Sequence, residues 1–197
     1  MIIRKAKIED KDTVIELVVE AIENLSNIFT GYEDDFMAKE KLKEMFCCPK
    51  NRFSYDSCLV AEIDGQVVGS IISYPGSEMK KLNEPLIDNL RERFRGDDEM
   101  FLKYSLAIHE SKEAFDDEYY IDNLAVVAKY RGKGISRALI EETEKEGFNK
   151  GYNKISILAD VNNEKAFRIY KKLEYEKDCE LDVLGHRYHH LVKLKNR

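Results

Sequence analysis

The chain has 197 residues, 43% of them hydrophobic and 36% charged, with a formal net charge of −6. That length supports one domain with a substantial core, and the composition is neither that of a disordered chain nor that of a membrane protein. The acidic balance argues against a general nucleic-acid partner and slightly favours a cationic one.

Residues 2–8 read as a first strand, followed by a helix that Asp10 or Asp12 can cap. Its apolar positions Val14, Leu17, Val18, Ala21, Ile22 and Leu25 fall on one stripe. A shorter helix is expected over 36–46, ended by Cys47-Cys48-Pro49. Asp64-Gly65 predicts a hairpin between strands at 59–63 and 66–73, and Pro75-Gly76 should stop the sheet. Residues 77–118 are charged and helix-prone, a long insertion that is either a lid or binding wall, or a solvated excursion over one sheet edge. A strand at 119–126, a helix at 135–148, a strand at 154–159 and a helix at 163–173 come next. Strands at 181–184 and 188–194 should pair around Gly185. The sum is a single α/β (or α+β) domain over 1–197, a mixed sheet of about six or seven strands with helices on both faces. No apolar run approaches the roughly 20 residues of a spanning helix, and the N-terminus lacks a signal peptide's apolar segment, so a cytoplasmic location without a membrane partner is expected.

The densest chemical signal is the junction from strand 119–126 into helix 135–148. Gly132 and Gly134 bracket Lys133 beside Arg131. Glycines let a backbone approach a ligand, and the amides and dipole of a helix N-terminus favour an anion, so a phosphate ester is implied. Ile135 after Gly134 breaks the Walker pattern, and Arg137 stands where the dinucleotide fingerprint needs its third glycine. What remains is Arg-x-x-Gly-x-Ser, Arg131 to Ser136.

This run resembles the Gln/Arg-x-x-Gly-x-Gly/Ala signature of the GNAT superfamily, the acetyl-CoA-dependent N-acetyltransferases. The opening Ile2–Asp10 segment, the Cys58–Ser70 hairpin and the Asn163–Leu173 helix, with its Asn-x-x-Ala and later Tyr170, resemble further parts of that fold in the same order. The resemblance implies acetyl-CoA as co-substrate and a primary amine, small molecule or peptide, as acceptor, with a homodimer common in the family. It places the acetyl and pantetheine groups along Leu124, Ala125 and Val126. The pyrophosphate falls on the amides around Arg131, Gly132, Lys133, Gly134, Ile135 and Ser136, where Ser136 either narrows the site or donates a further hydrogen bond. Asn163 either reaches coenzyme A or caps its helix. Glu174-Tyr175 stands where the family has Gly-Phe, which removes the easy left-handed helix cap.

Tyr170 is the implied general acid for the departing thiolate, with packing on the Ala166-Phe167-Leu173 face as the alternative. On a regular strand Glu118, Tyr120, Asp122, Leu124 and Val126 share a face. Glu118 and Asp122 are therefore candidate bases for the amine, and Tyr120 a candidate substrate contact. His186 and Tyr188 are candidate acceptor contacts. His186, His189 and His190 sit on a strand with His189 facing away, so no metal is expected. The four cysteines, Cys47, Cys48, Cys58 and Cys179, have no Cys-x-x-Cys spacing and no nucleophile setting, which implies direct transfer. The rival reading is an acyl-CoA-binding sensor without catalysis.

Overall fold

The computed structural model describes residues 1–22 and 25–195. Seven strands form one sheet in the order β1-β2-β3-β4-β5-β7-β6. They are β1 (Ile2–Lys5), β2 (Cys58–Ile63), β3 (Gln66–Pro75), β4 (Glu118–Val126), β5 (Lys154–Asp160), β6 (Glu176–Val183) and β7 (His186–Leu194). Every neighbouring pair is antiparallel except β4 and β5, which run parallel. The described helices are α1 (Lys11–Ile22), α2 (Ser26–Thr30), α3 (Asp35–Cys47), α4 (Met79–Arg93), α5 (Asp98–Glu110), α6 (Ile135–Asn149) and α7 (Glu164–Lys172). None is long and apolar enough to cross a membrane. The mixed, mostly antiparallel sheet with helices on both faces is the expected architecture.

Two cores sandwich the sheet. On one face Val60, Ile72, Tyr74 and Tyr120 pack with Val14, Val18, Leu42, Phe46, Leu86, Leu90 and Ile108 of α1, α3, α4 and α5. On the other, Ile71, Tyr119, Ile121 and Ile157 pack with Ile135, Leu139 and Ile140 of α6. The 77–118 stretch is thus part of the main core: its helices bury Leu82, Leu86, Leu90, Tyr104 and Ile108.

Three local departures from the sequence expectations have physical causes. The five residues of α2 are too few to show a helical period, and that helix went unforeseen. β6 begins at Glu176, well before residue 181, because an edge strand tolerates the charged run Glu176-Lys177-Asp178 that obscures its alternation. In β4, Ile72 pairs with Asn123 while Ser73 pairs with Ile121, so Asp122 is bulged out of the ladder. The bulge switches which residues face which core: Tyr120 joins the α1–α5 side, whereas Leu124 and Val126 pack with the α6 side. Glu118, Tyr120, Asp122, Leu124 and Val126 therefore do not share one face.

Candidate active site

β4 and β5 pair only from Glu118↔Lys154 to Ile121↔Ile157. Beyond that point β4 stays with β3 to Val126, and β5 stays with β7 to Asp160. The parallel pair thus splays at its C-terminal ends. A cleft of about 660 Å³ opens there, lined by Tyr120, Asp122 and Leu124 of β4, Leu158 to Asp160 of β5, and Asn163, Ala166 and Tyr170 around α7. Val183, Leu184, His186 and Tyr188 of the β6–β7 hairpin close one side, and Ala21, Ile22 and Phe29 another. Seven of the sequence-selected residues meet in this one cavity: Tyr120, Asp122, Leu124, Asn163, Tyr170, His186 and Tyr188.

The cleft floor is a buried ionic cluster. Arg52, 2% exposed, gives Nε and Nη2 to Asp122 at 2.9 and 2.8 Å. Its Nη1 and Nη2 also reach Glu113 at 2.8 and 2.6 Å. Tyr74 donates its hydroxyl to Asp122 at 2.7 Å, and Tyr120 donates to Glu113 at 3.1 Å. Burial drives both phenols well above their ordinary value, with the neighbouring carboxylates adding to it, so they remain donors. The guanidinium lies 4.6 Å over the Phe29 ring. Two carboxylates against one guanidinium leave this floor net negative, and Asp160 adds a third carboxylate to the lining.

Asp122 is thus an anchored cluster member, with both oxygens already engaged by Arg52. Glu118 lies apart. It is 1% exposed at the start of β4, accepts the Phe115 amide at 3.0 Å and faces Nε2 of His190 at 3.0 Å. Burial alone would raise its carboxyl, but hydrogen bonds from His190 and Phe115 hold it below the usual range. It does not line the cleft, because the interstrand ladder shuts that end of β4.

The glycine turn leaves from the end of β4 where the strands part. Gly132 and Gly134 have φ of +77 and +80°, and a Cβ built on either would meet nothing within 4 Å. Gly134 caps α6, so the first-turn amides from Ile135 and Ser136 sit beside open backbone. The arrangement fits a pyrophosphate group. Arg131 points the other way: its Nε donates to the Val126 carbonyl at 2.9 Å and its Nη2 pairs with Glu20 of α1. Lys133 lies 5.1 Å over the Tyr130 ring. Arg131 therefore fixes the turn to β4 and α1, and what the turn leaves open is its backbone.

Across the cleft, Asn163 caps α7, its side chain accepting the Ala166 amide at 3.0 Å. Two turns on, Tyr170 faces the cleft, and burial pushes its phenol up to about 12. Glu174 takes φ of +71° at the helix end, the left-handed conformation that glycine would adopt without cost. His186 is exposed and Tyr188 half-buried at the hairpin. Sequence reasoning missed Arg52, Glu113 and Phe29. They come from loops and a short helix without periodicity, and only the tertiary fold gathers them.

The fold is shared with solved acetyltransferases. An N-acetyltransferase from Staphylococcus aureus Mu50 superposes with a TM-score of 0.78 at 29% identity, covering 98% of this chain and 100% of that one. A second acetyltransferase structure gives a TM-score of 0.76 at 26% identity over 98% and 99% of the two chains. Acetyltransferase SG1711 of Sodalis glossinidius is 31% identical over 133 residues, 67% of this chain and 66% of that protein, slightly under two thirds of the relative's length. Residues 21–175 match the acetyltransferase (GNAT) family. The chain belongs to that family.

Proposed function

We propose that this protein transfers an acetyl group from acetyl-CoA to a primary amine by direct attack, without a covalent acyl-enzyme. The observation that carries the reading is the splayed β4–β5 pair, which opens one cleft lined by Leu124 of β4 and by Tyr170 of α7. In this reading the amides at Gly132 to Ser136 hold the pyrophosphate, and the backbone of Leu124, Ala125 and Val126 holds the pantetheine arm and the acetyl oxygen. Tyr170 keeps its proton until the thiolate leaves and then donates it. Among the described residues no cysteine lines the cleft, and burial pushes the Cys58 thiol up to about 12, which supports direct attack.

The negative floor favours a cationic acceptor. Three carboxylates, Glu113, Asp122 and Asp160, line the cleft against the single guanidinium of Arg52. An ammonium group gains there, and a carboxylate-bearing acceptor is repelled. Glu118 is assigned to orienting His190 and not to proton removal, and the amine's proton leaves through cleft water. Thiol release from acetyl-CoA, measured with a panel of diamines, monoamines, amino acids and peptides and with mass detection of the product, tests the reading. Turnover on cationic amines is the expected result. Tight coenzyme A binding with no turnover on the whole panel would replace this reading with a non-catalytic acyl-CoA sensor.

A further inference from the structure

A second cluster lies on β6 and β7, outside the residues that line the cleft. β6 is the edge strand, and its register with β7 shifts: Lys177 pairs with Leu191 and Cys179 with His190, leaving Asp178 without an opposite residue. On a regular strand Asp178 and Cys179 point to opposite faces; at the bulge both reach His190. A carboxylate oxygen of Asp178, Sγ of Cys179 and a ring nitrogen of His190 all lie within 4.8 Å of one another.

His190 is fully buried, and its two nitrogens have different surroundings. Nε2 faces the Glu118 carboxylate at 3.0 Å, and that carboxylate also accepts the Phe115 amide. Nε2 is thus engaged by a carboxylate, and the other ring nitrogen, Nδ1, is turned toward the cluster. Nδ1 makes no hydrogen bond, although Oδ2 of Asp178 stands 3.5 Å away. A buried ring nitrogen in that state requires a physical reason. A carboxylate behind an imidazole whose other nitrogen is open is the arrangement by which proteins orient a histidine toward a metal.

We propose that Asp178, Cys179 and His190 form a site for a borderline-soft divalent cation, zinc above all, with Glu118 as the carboxylate that orients His190. Nitrogen, sulfur and oxygen donors together suit zinc, and three protein ligands leave a fourth position for water. Zinc bonds of about 2.0–2.3 Å place tetrahedral donors roughly 3.5 Å apart, so the cluster closes by about 1 Å on binding. The exposed Asp178 side chain supplies that movement without disturbing the buried imidazole. A bound ion would pin the edge strand β6 to β7 and, through His190 and Glu118, to β4.

Cobalt(II) titrated into the metal-free full chain tests this, because a thiolate–cobalt bond gives a charge-transfer band in the near ultraviolet. One cobalt per chain with that band, displaced by zinc, is the expected result. Cys179→Ser abolishes the band and Asp178→Asn weakens binding by about tenfold or more, within the range found for altered metal sites. Both substitutions sit on the edge strand and leave His190 in place, and circular dichroism checks the fold. In parallel, zinc raises the melting temperature of the parent and not of Cys179→Ser. A titration without the band, or a band that survives Cys179→Ser and so reports another cysteine, overturns the proposal.

Discussion

The side chain with the most at stake in the cleft is Tyr170. It lines the cavity from α7, and its ring stands 6.2 Å from that of the buried Tyr175. Burial holds the phenol up to about 12, so it is fully protonated across the physiological range and has a proton to give. Tyr170→Phe removes that proton and keeps the aromatic volume, so the fold should be nearly unaffected. A positioned acid contributes on the order of 10² to 10⁴ in rate. The expected outcome is a fall of that size in kcat with little change in acetyl-CoA affinity, the mark of an interaction made mainly in the transition state. Turnover within about twofold of the parent would reduce Tyr170 to the packing role that its helical spacing alone suggests.

Among the elements, the junction around β3 and β4 makes the sharpest claim about stability. Gly76 follows the last residue of β3, where a Cβ would stand 2.2 Å from the carbonyl oxygen of Phe115, the segment that returns the insertion to β4. Backbone cannot step aside as a flexible side chain would, so Gly76→Ala forces the two ends of the insertion apart. Such overpacking costs about 1–3 kcal/mol or more, a loss of roughly 2–12 °C in melting temperature for a chain of this size. A melting temperature unchanged by Gly76→Ala would mean that these segments do not meet. The same junction marks the limit of what the sequence discloses. Pro75-Gly76 announces the end of β3 because both residues act locally, and Gly132-Lys133-Gly134 announces the helix cap for the same reason. The bulge at Asp122 is silent, since it arises from how β4 is held by β3 on one side and released by β5 on the other. From the alternation of a regular strand Glu118 and Asp122 read as carboxylates on one face, open to an amine. Their burial depends on His190 and Arg52, which lie 72 and 70 residues away.

At the scale of the whole molecule, two couplings tie distant segments and each has a measurable signature. The first joins β1 to α6: Glu146 accepts Lys5 at 2.8 Å, Lys150 at 2.8 Å and the Tyr119 hydroxyl at 3.1 Å. Burial alone would raise this carboxyl, but the hydrogen bonds and charges of Lys150 and Lys5 hold it at about 2 against an ordinary 4.5. A folded-state value below the unfolded one gives stability that is complete above pH 4.5 and is lost as the pH falls toward 2. The melting-temperature gap between the parent and Glu146→Gln should therefore be widest near neutrality and close between pH 4.5 and 2. A gap constant with pH would show that the carboxylate is not held in this way. The second coupling follows from the proposed function and is between the fold and acetyl-CoA. A ligand that binds only the folded chain, at about 100 times its dissociation constant, stabilises it by roughly 2.7 kcal/mol, a rise of several degrees. Gly134 has φ of +80° and open space where a Cβ would stand, so Gly134→Val meets no protein atom there. It instead strains the left-handed backbone and fills the approach to the α6 amides. Its own melting temperature should drop, but the informative quantity is the ligand-induced increment, which should shrink toward zero. Arg131→Ala should blunt the increment less, because it loosens the turn from Val126 and Glu20 while leaving those amides open. A full increment in Gly134→Val would place the phosphates somewhere other than this turn.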